Sequence, residues 1–223
     1  MTQAQLQKAI AAQYDGEAEA PAITSDDWLL RQELLNEGLH VWETDRWWKE
    51  LLATDSSETI TAGDYTYACA TDFFRPLGWV WTQDASGNKT YYQHIKRAQA
   101  TRMDKSARFY YLSGDPINGY SININPNLTL TTGHTLYIDY VKKATVYTAS
   151  TTTSECSDPY FLVFYVLWKL YEQDGDTTKA QGAKDATVQK LMAMRQEDEL
   201  MGYDQPNRVE DNDFSLGFGG FGV

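Results

Sequence analysis

The residues of this chain that could do chemistry are scattered. Two carboxylate pairs lie close in sequence, Asp45 with Glu50 and Asp64 with Asp72, and they are the material a glycoside hydrolase would use. That reaction needs one carboxyl with a raised pKa to protonate the leaving oxygen while a second faces it across the sugar. With 31 acidic residues in the chain, pairs at such spacing arise by chance. His40, His94 and His134 sit in three different stretches, none with a partner at ligand spacing, so no metal centre is expected. Cys69 and Cys156 lack a CxxC or CxxH spacing, which fits two buried thiols in a reducing compartment better than a disulfide framework. No GxSxG, HExxH, P-loop or dinucleotide motif occurs. The glycines of Gly217-Phe218-Gly219-Gly220 follow no strand and open no helix, as a phosphate cradle would require. The expectation is therefore no catalytic residue, no metal ligand and no cofactor.

What the chain offers instead is contact area. Of its 223 residues, 7 are Trp and 15 Tyr, and such aromatic surplus favours surfaces that meet proteins or sugars. The formal charge of −12 and a pI near 4.6 argue against wrapping nucleic acid, which needs clustered Lys and Arg, whereas the 19 present are dispersed. An acidic surface can still border a DNA channel, because it repels the duplex and lets it slide. The N-terminal residues contain no apolar h-region, so no signal peptide is expected. The longest apolar run, residues 160–170 broken only by Lys169, is about half of the ~20 residues that a bilayer span requires.

Residues 2–14 read as a short amphipathic arm with Leu6, Ile10 and Tyr14 on one face. Gly16 and Pro21 break it, and Ser25 then caps a second helix whose first turn carries Asp26 and Asp27. Over residues 28–42 the positions Leu30, Leu34, Leu35, Leu39, Val41 and Trp42 make a broad apolar stripe, and Gly38 within it marks a close helix contact. Residues 44–53 read as further helix ending before Thr54, with a strand at Trp47 and Trp48 as the alternative. From Ser56 to Ser154 the texture is that of antiparallel β structure. Turns are expected at residues 62–64 and 84–88, with strands over 79–81, 90–92, 108–112, 120–124 and 135–141. The basic stretch 93–105 reads as a solvated connection. Asp158-Pro159 opens a helix that is apolar on nearly every face, Asp174-Gly175-Asp176 closes a hairpin, and a second helix spans 177–201. Tyr160, Phe164 and Trp168 are the expected hairpin core, and neighbouring subunits are expected to complete its cover.

The last residues differ from all of this. Phe214, Leu216, Phe218, Phe221 and Val223 put large apolar side chains on a glycine-rich backbone, which orders only when another surface takes them up. Residues 197–213 before them hold seven acids against Arg208, half of the net charge of −12. The pair reads as a solvated acidic tether carrying a docking tail.

Read in order, four passages resemble the head-to-tail adaptor (connector) proteins of tailed bacteriophages. They are the helix over 28–42 followed by Arg46-Trp47-Trp48-Lys49; residues 60–67 leading to 71–76, with Ala68-Cys69-Ala70 where the family usually has Leu-Pro; Asn123-Ile124-Asn125-Pro126 followed by 132–143; and the hairpin of 158–169 and 175–180. The resemblance implies a non-enzymatic virion protein at the head–tail junction, assembled in the host cytoplasm as a homo-oligomeric, dodecameric ring. It implies a portal protein on one side, a tail nozzle, stopper or tail tube protein on the other, and DNA passing through without sequence-specific binding. A C-terminal extension at the position of residues 214–223 would meet the portal. The expected fold is α+β: a helical bundle, made of the N-terminal helix and the C-terminal hairpin, with an inserted antiparallel β lobe and an extended tail. Its divisions are an arm (1–24), a bundle helix region (25–55), the β lobe (56–154), the hairpin (155–202) and the docking tail (203–223). The alternative is a tail component that binds or cleaves polysaccharide through the aromatic β lobe.

Overall fold

A computed structural model describes residues 1–200 of the chain. These residues form four α-helices and seven strands, divided between two compact units. Among the described residues, one unit comprises Met1–Ala53, Thr71–Arg75 and residues 141–200; the other comprises Thr54–Ala70 and Pro76–Tyr140.

In the first unit, helix α1 (Gln3–Tyr14) begins at a capping box: Gln5 N–H donates to the Thr2 hydroxyl, and Thr2 N–H donates to the Gln5 side chain. The expected arm is a built-in helix. Leu6, Ile10 and Ala11 are buried, Gln3 and Ala4 donate to the carbonyls of Thr152 and Ser150, and Ser154 donates to Met1. Its other end is fixed by the Tyr14 hydroxyl, which donates to Asp174 at 2.5 Å, and by Tyr171, which donates to the Gln13 carbonyl. Burial, and then that bond to Asp174, pushes the Tyr14 phenol up to about 12.

Helix α2 (Asp26–Asp45) is capped by Ser25, whose hydroxyl accepts from Trp28 N–H, and it carries Asp26 and Asp27 where the helix dipole favours them. Trp28, Leu34, Leu35, Leu39 and Trp42 are its buried stripe. The expected continuation of helix to residue 53 does not occur. Arg46 is fully extended, and Trp48 turns back to donate to the Trp42 carbonyl at 2.6 Å and stack on the Trp42 ring. A 3-10 turn (Lys49–Leu51) then leads into strand β1 (Leu52–Asp55). The indole of Trp48 satisfies a carbonyl that a helix end leaves unpaired, which makes stopping at Asp45 favourable.

Helix α3 (Tyr160–Gln173) packs against α1, α2 and α4 (Thr177–Leu200). Asp158 and Pro159 start it as expected: the Asp158 carboxylate accepts from Tyr160 N–H, and Pro159 already has helical dihedrals. Where α2 crosses it, Gly38 admits the Tyr165 ring; a Cβ at that position would lie 2.9 Å from Tyr165 Cδ1.

The strands are β1, β2 (Thr66–Ala68), β3 (Phe73–Gln83), β4 (Lys89–His94), β5 (Phe109–Asp115), β6 (Gly119–Ile124) and β7 (Thr135–Lys142), in the order β1-β7-β3-β4-β5-β6-β2. This corrects the expected architecture. The chain is a mixed α/β protein with one seven-stranded sheet, not a helical bundle carrying an inserted antiparallel lobe. Hairpin β3–β4 turns at residues 84–88 as read, with Trp81 opposite Tyr91. Strand β5, however, lies parallel to β4 over Gln93 and His94, reached through an exposed 3-10 turn at Arg97–Arg102. The turn at residues 62–64 makes no hairpin, because β2 pairs with β6 instead. Alternating burial identifies a strand, but not the strand beside which it lies.

Two glycines give opposite expectations. Gly38→Val should destabilise through overpacking by about 1–3 kcal/mol. Gly182→Ala, on α4 with nothing within 4 Å of the new methyl, should stabilise by about 1 kcal/mol through helix propensity. Urea unfolding of the two variants against the parent checks both signs.

Candidate docking surfaces

Tyr160, Phe164 and Trp168 recur every four residues and therefore share one stripe of α3. That stripe faces outward: Tyr160 is exposed, and Phe164 and Trp168 are half-buried. The side chains filling the interior are Phe161, Leu162, Val163, Tyr165, Val166, Leu167 and Leu170. Most of the cover that the sequence assigned to neighbouring subunits thus comes from the chain itself. Lysines lie over the outward rings. Lys190 Nζ is 5.9 Å from the Tyr160 ring centre, and Lys169 and Lys184 are 4.5 and 5.2 Å from that of Trp168. Beside Trp168 a cleft of about 230 Å³ runs between α3 and α4, lined also by Glu172, Thr177, Ala180, Gln181 and Lys184.

The far end of α4 is held electrostatically. A helix C-terminus disfavours acids, yet Glu197, Asp198 and Glu199 occupy the last turn. Arg46 offsets them. Its guanidinium lies 3.5 Å from both Asp198 and Glu199 and donates to the Arg195 carbonyl at 2.9 Å. Lys49 N–H donates to Asp198, and Arg195 donates to Asp45. The first three acids assigned to a solvated tether are therefore part of α4, and the chain continues toward the tail from this anchored end. Sequence reasoning noted Arg46 and Lys49 only within the resemblance, since nothing local marks a partner about 150 positions away. Phe214, Leu216, Phe218, Phe221 and Val223 lie outside the described residues.

In the second unit one sheet face carries an aromatic row. Trp79 meets Tyr91 edge-on, Tyr91 leans on Trp81, and Trp81 stacks on Tyr137 with centres 5.3 Å apart and planes 2° from parallel. Within this row the Trp81 and Tyr137 faces are spent on each other and Lys89 lies 5.0 Å from the Trp81 ring centre, whereas Trp79 and Tyr91 are 46% and 48% exposed. The turns of this unit are clamped by single carboxylates. Asp84 accepts from Ser86 and Asn88, Asp104 from Ser106, and Asp115 from Ile117 and Asn118. These bonds, the side-chain donors first, hold all three carboxyls below the usual range.

Four of the candidates for chemistry make structural contacts. Asp45 holds Arg195, Glu50 lies 3.9 Å from Lys49, and Asp64 accepts from Thr66 N–H within its turn. His40 pairs with Glu43. Burial pushes the thiols of Cys69 and Cys156 up to about 12, so both stay protonated at neutral pH. Among the described residues, no group of three or more His, Cys, Asp or Glu is placed to hold a metal ion, and no helix is long and apolar enough to cross a membrane.

A family model described as SU10 adaptor protein matches residues 1–210. The chain belongs to the SU10 adaptor protein family. No curated protein matches it. The SU10 adaptor is a structural protein of bacteriophages, and the matched span takes in all four passages that carried the resemblance.

Arg46→Ala should release the end of α4 while leaving the fold intact, and hydrogen exchange at residues 195–199 should rise at least tenfold. The turn carboxylates give a pH expectation. Because folding favours their charged form, their support is present above the ordinary carboxyl pKa and fades as pH falls through the lowered value. Carboxyl titration by NMR should place Asp84, Asp104 and Asp115 below 3.8.

Proposed function

We propose that this adaptor assembles as a dodecameric ring under the phage portal, extends the DNA channel, and gives the tail its attachment platform. The C-terminal residues Phe214, Leu216, Phe218, Phe221 and Val223 dock on the portal. The observation carrying this reading is the anchored C-terminal end of α4. Arg46 and Lys49 fix the point from which an acidic and then phenylalanine-rich segment departs, so the body sets where the tail begins. Family membership supports the placement of the protein in the phage.

The energetics suit repetition. A glycine-rich segment loses entropy on docking, so each copy binds modestly. Copies in a ring raise one another's effective concentration, and weak contacts then add up to firm attachment. A net charge of −12 suits a channel that DNA crosses without sticking. The same acidity suits a neighbour, portal or tail component, that offers basic contact points.

Deleting residues 210–223 tests the reading. The shortened chain should fold with an unchanged melting temperature but fail to join DNA-filled heads, and Phe218→Ser with Phe221→Ser should show a partial loss of attachment. Truncated chains that attach to heads as well as the full chain does would overturn it.

A further inference from the structure

The second unit carries its positive charge in one place. Among its described residues, five of the six Lys and Arg (Lys96, Arg97, Arg102, Lys105 and Arg108) fall within residues 96–108, and all five are exposed. The sixth, Lys89, lies against the Trp81 ring. These six cations stand against seven Asp and Glu, so nearly all of the chain's −12 lies outside this part of the molecule. Most of the unit's acids are held by other groups. Asp104, the one acid within the stretch, accepts from the N–H and the hydroxyl of Ser106, Asp84 and Asp115 clamp their own turns, and Asp55 and Asp139 accept from Ser57 and Thr54. Among the described residues, Arg97, Arg102, Lys105 and Arg108 take part in no ion pair.

The backbone that carries these cations is fixed. The fully buried Asn125 donates from its side chain to the Lys105 and Ala107 carbonyls, and its N–H donates to the Phe109 carbonyl. Gln93 N–H donates to the Arg108 carbonyl, and Lys96 N–H donates to the Gln99 side chain at the start of the 3-10 turn. An exposed loop whose course is already set loses less freedom when its side chains meet a partner. The side chains themselves say which partner fits. Apart from Met103 the stretch exposes no large apolar group, and protein docking sites centre on such groups. Its Lys, Arg, Thr and Ser are instead the donors that contact phosphate oxygens. A short 3-10 turn is not an element that enters a groove and reads bases, so such contact is independent of sequence.

We propose that residues 96–108 are a contact site for the phosphate backbone of duplex DNA, through Arg97, Arg102, Lys105 and Arg108; this rests on the reading that DNA passes through the adaptor. The contact is salt-sensitive, because its free energy comes from counterions released at each neutralised phosphate. Acid elsewhere in the chain keeps the duplex from spreading beyond it.

Fluorescence anisotropy of a short labelled duplex of mixed sequence, titrated with the full chain at low salt, tests the site. A variant combining Arg97→Gln, Arg102→Gln, Lys105→Gln and Arg108→Gln should keep the parent's circular dichroism and bind at least tenfold more weakly. Its fall of log affinity with log salt should be shallower by about 0.9 for each contact removed. Lys8→Gln with Lys179→Gln, which removes exposed cations of the helical unit, should change the affinity less than twofold. Equal binding by the parent and the fourfold variant, or no binding by the parent, would overturn the assignment. So would a poly-glutamate peptide that binds as tightly as the duplex and is lost in the same variant, since that result marks an acidic protein partner. Copies of the chain per phage particle, counted by mass spectrometry, judge the ring separately: many copies without duplex binding defeat this site alone, and a single copy with duplex binding intact defeats the ring alone.

Discussion

A helix apolar on nearly every side cannot remain at a surface, and enclosing α3 is the constraint on which the helical unit depends. Each fully buried Leu, Val or Phe is worth about 1.5–3 kcal/mol over exposure, and α3 buries seven large side chains. To collect that burial, α1, α2 and α4 all turn their apolar stripes toward it. Gly38 exists in α2 because the Tyr165 ring needs its space, and α1 is locked at both ends because α3 needs its cover. The one charged residue within the apolar run, Lys169, keeps its stem along the rings and its ammonium 3.7 Å from Glu37.

Enclosure of α3 by its own chain changes what is left for other molecules. Among the described residues, exposed apolar side chains remain on both units, Tyr160, Leu29 and Met192 on the helical one and Trp79, Tyr91 and Ile117 on the other. A structural phage protein needs surfaces of this kind.

Much of this was legible in the sequence, for local reasons. Ser25 with two aspartates, Asp158-Pro159 and Asp174-Gly175-Asp176 each act within a few residues, and α2, α3 and α4 start or turn there. The Asp84 turn is likewise local, and β3 and β4 pair across it. What failed depended on distant partners. Helical periodicity cannot orient a helix that is apolar all round, so the outward Tyr160, Phe164 and Trp168 read as core. The parallel contact of β4 with β5, the pairing of β2 with β6 and the Arg46–Asp198 contact join residues far apart in sequence, and no neighbouring residue announces them. The sheet therefore read as an antiparallel lobe inserted in a bundle, whereas its seven strands form one mixed sheet. On the functional side, the order of the four passages led to the family.

On the function proposed above, this adaptor acts by assembly between a phage's head and its tail. An electron cryo-microscopy reconstruction of the intact head–tail junction tests it most directly. The account predicts a closed ring of this chain around the DNA path, its helical units side by side and its C-terminal phenylalanines against the portal. A junction built without this chain, or one holding a lone copy off the axis, would contradict it.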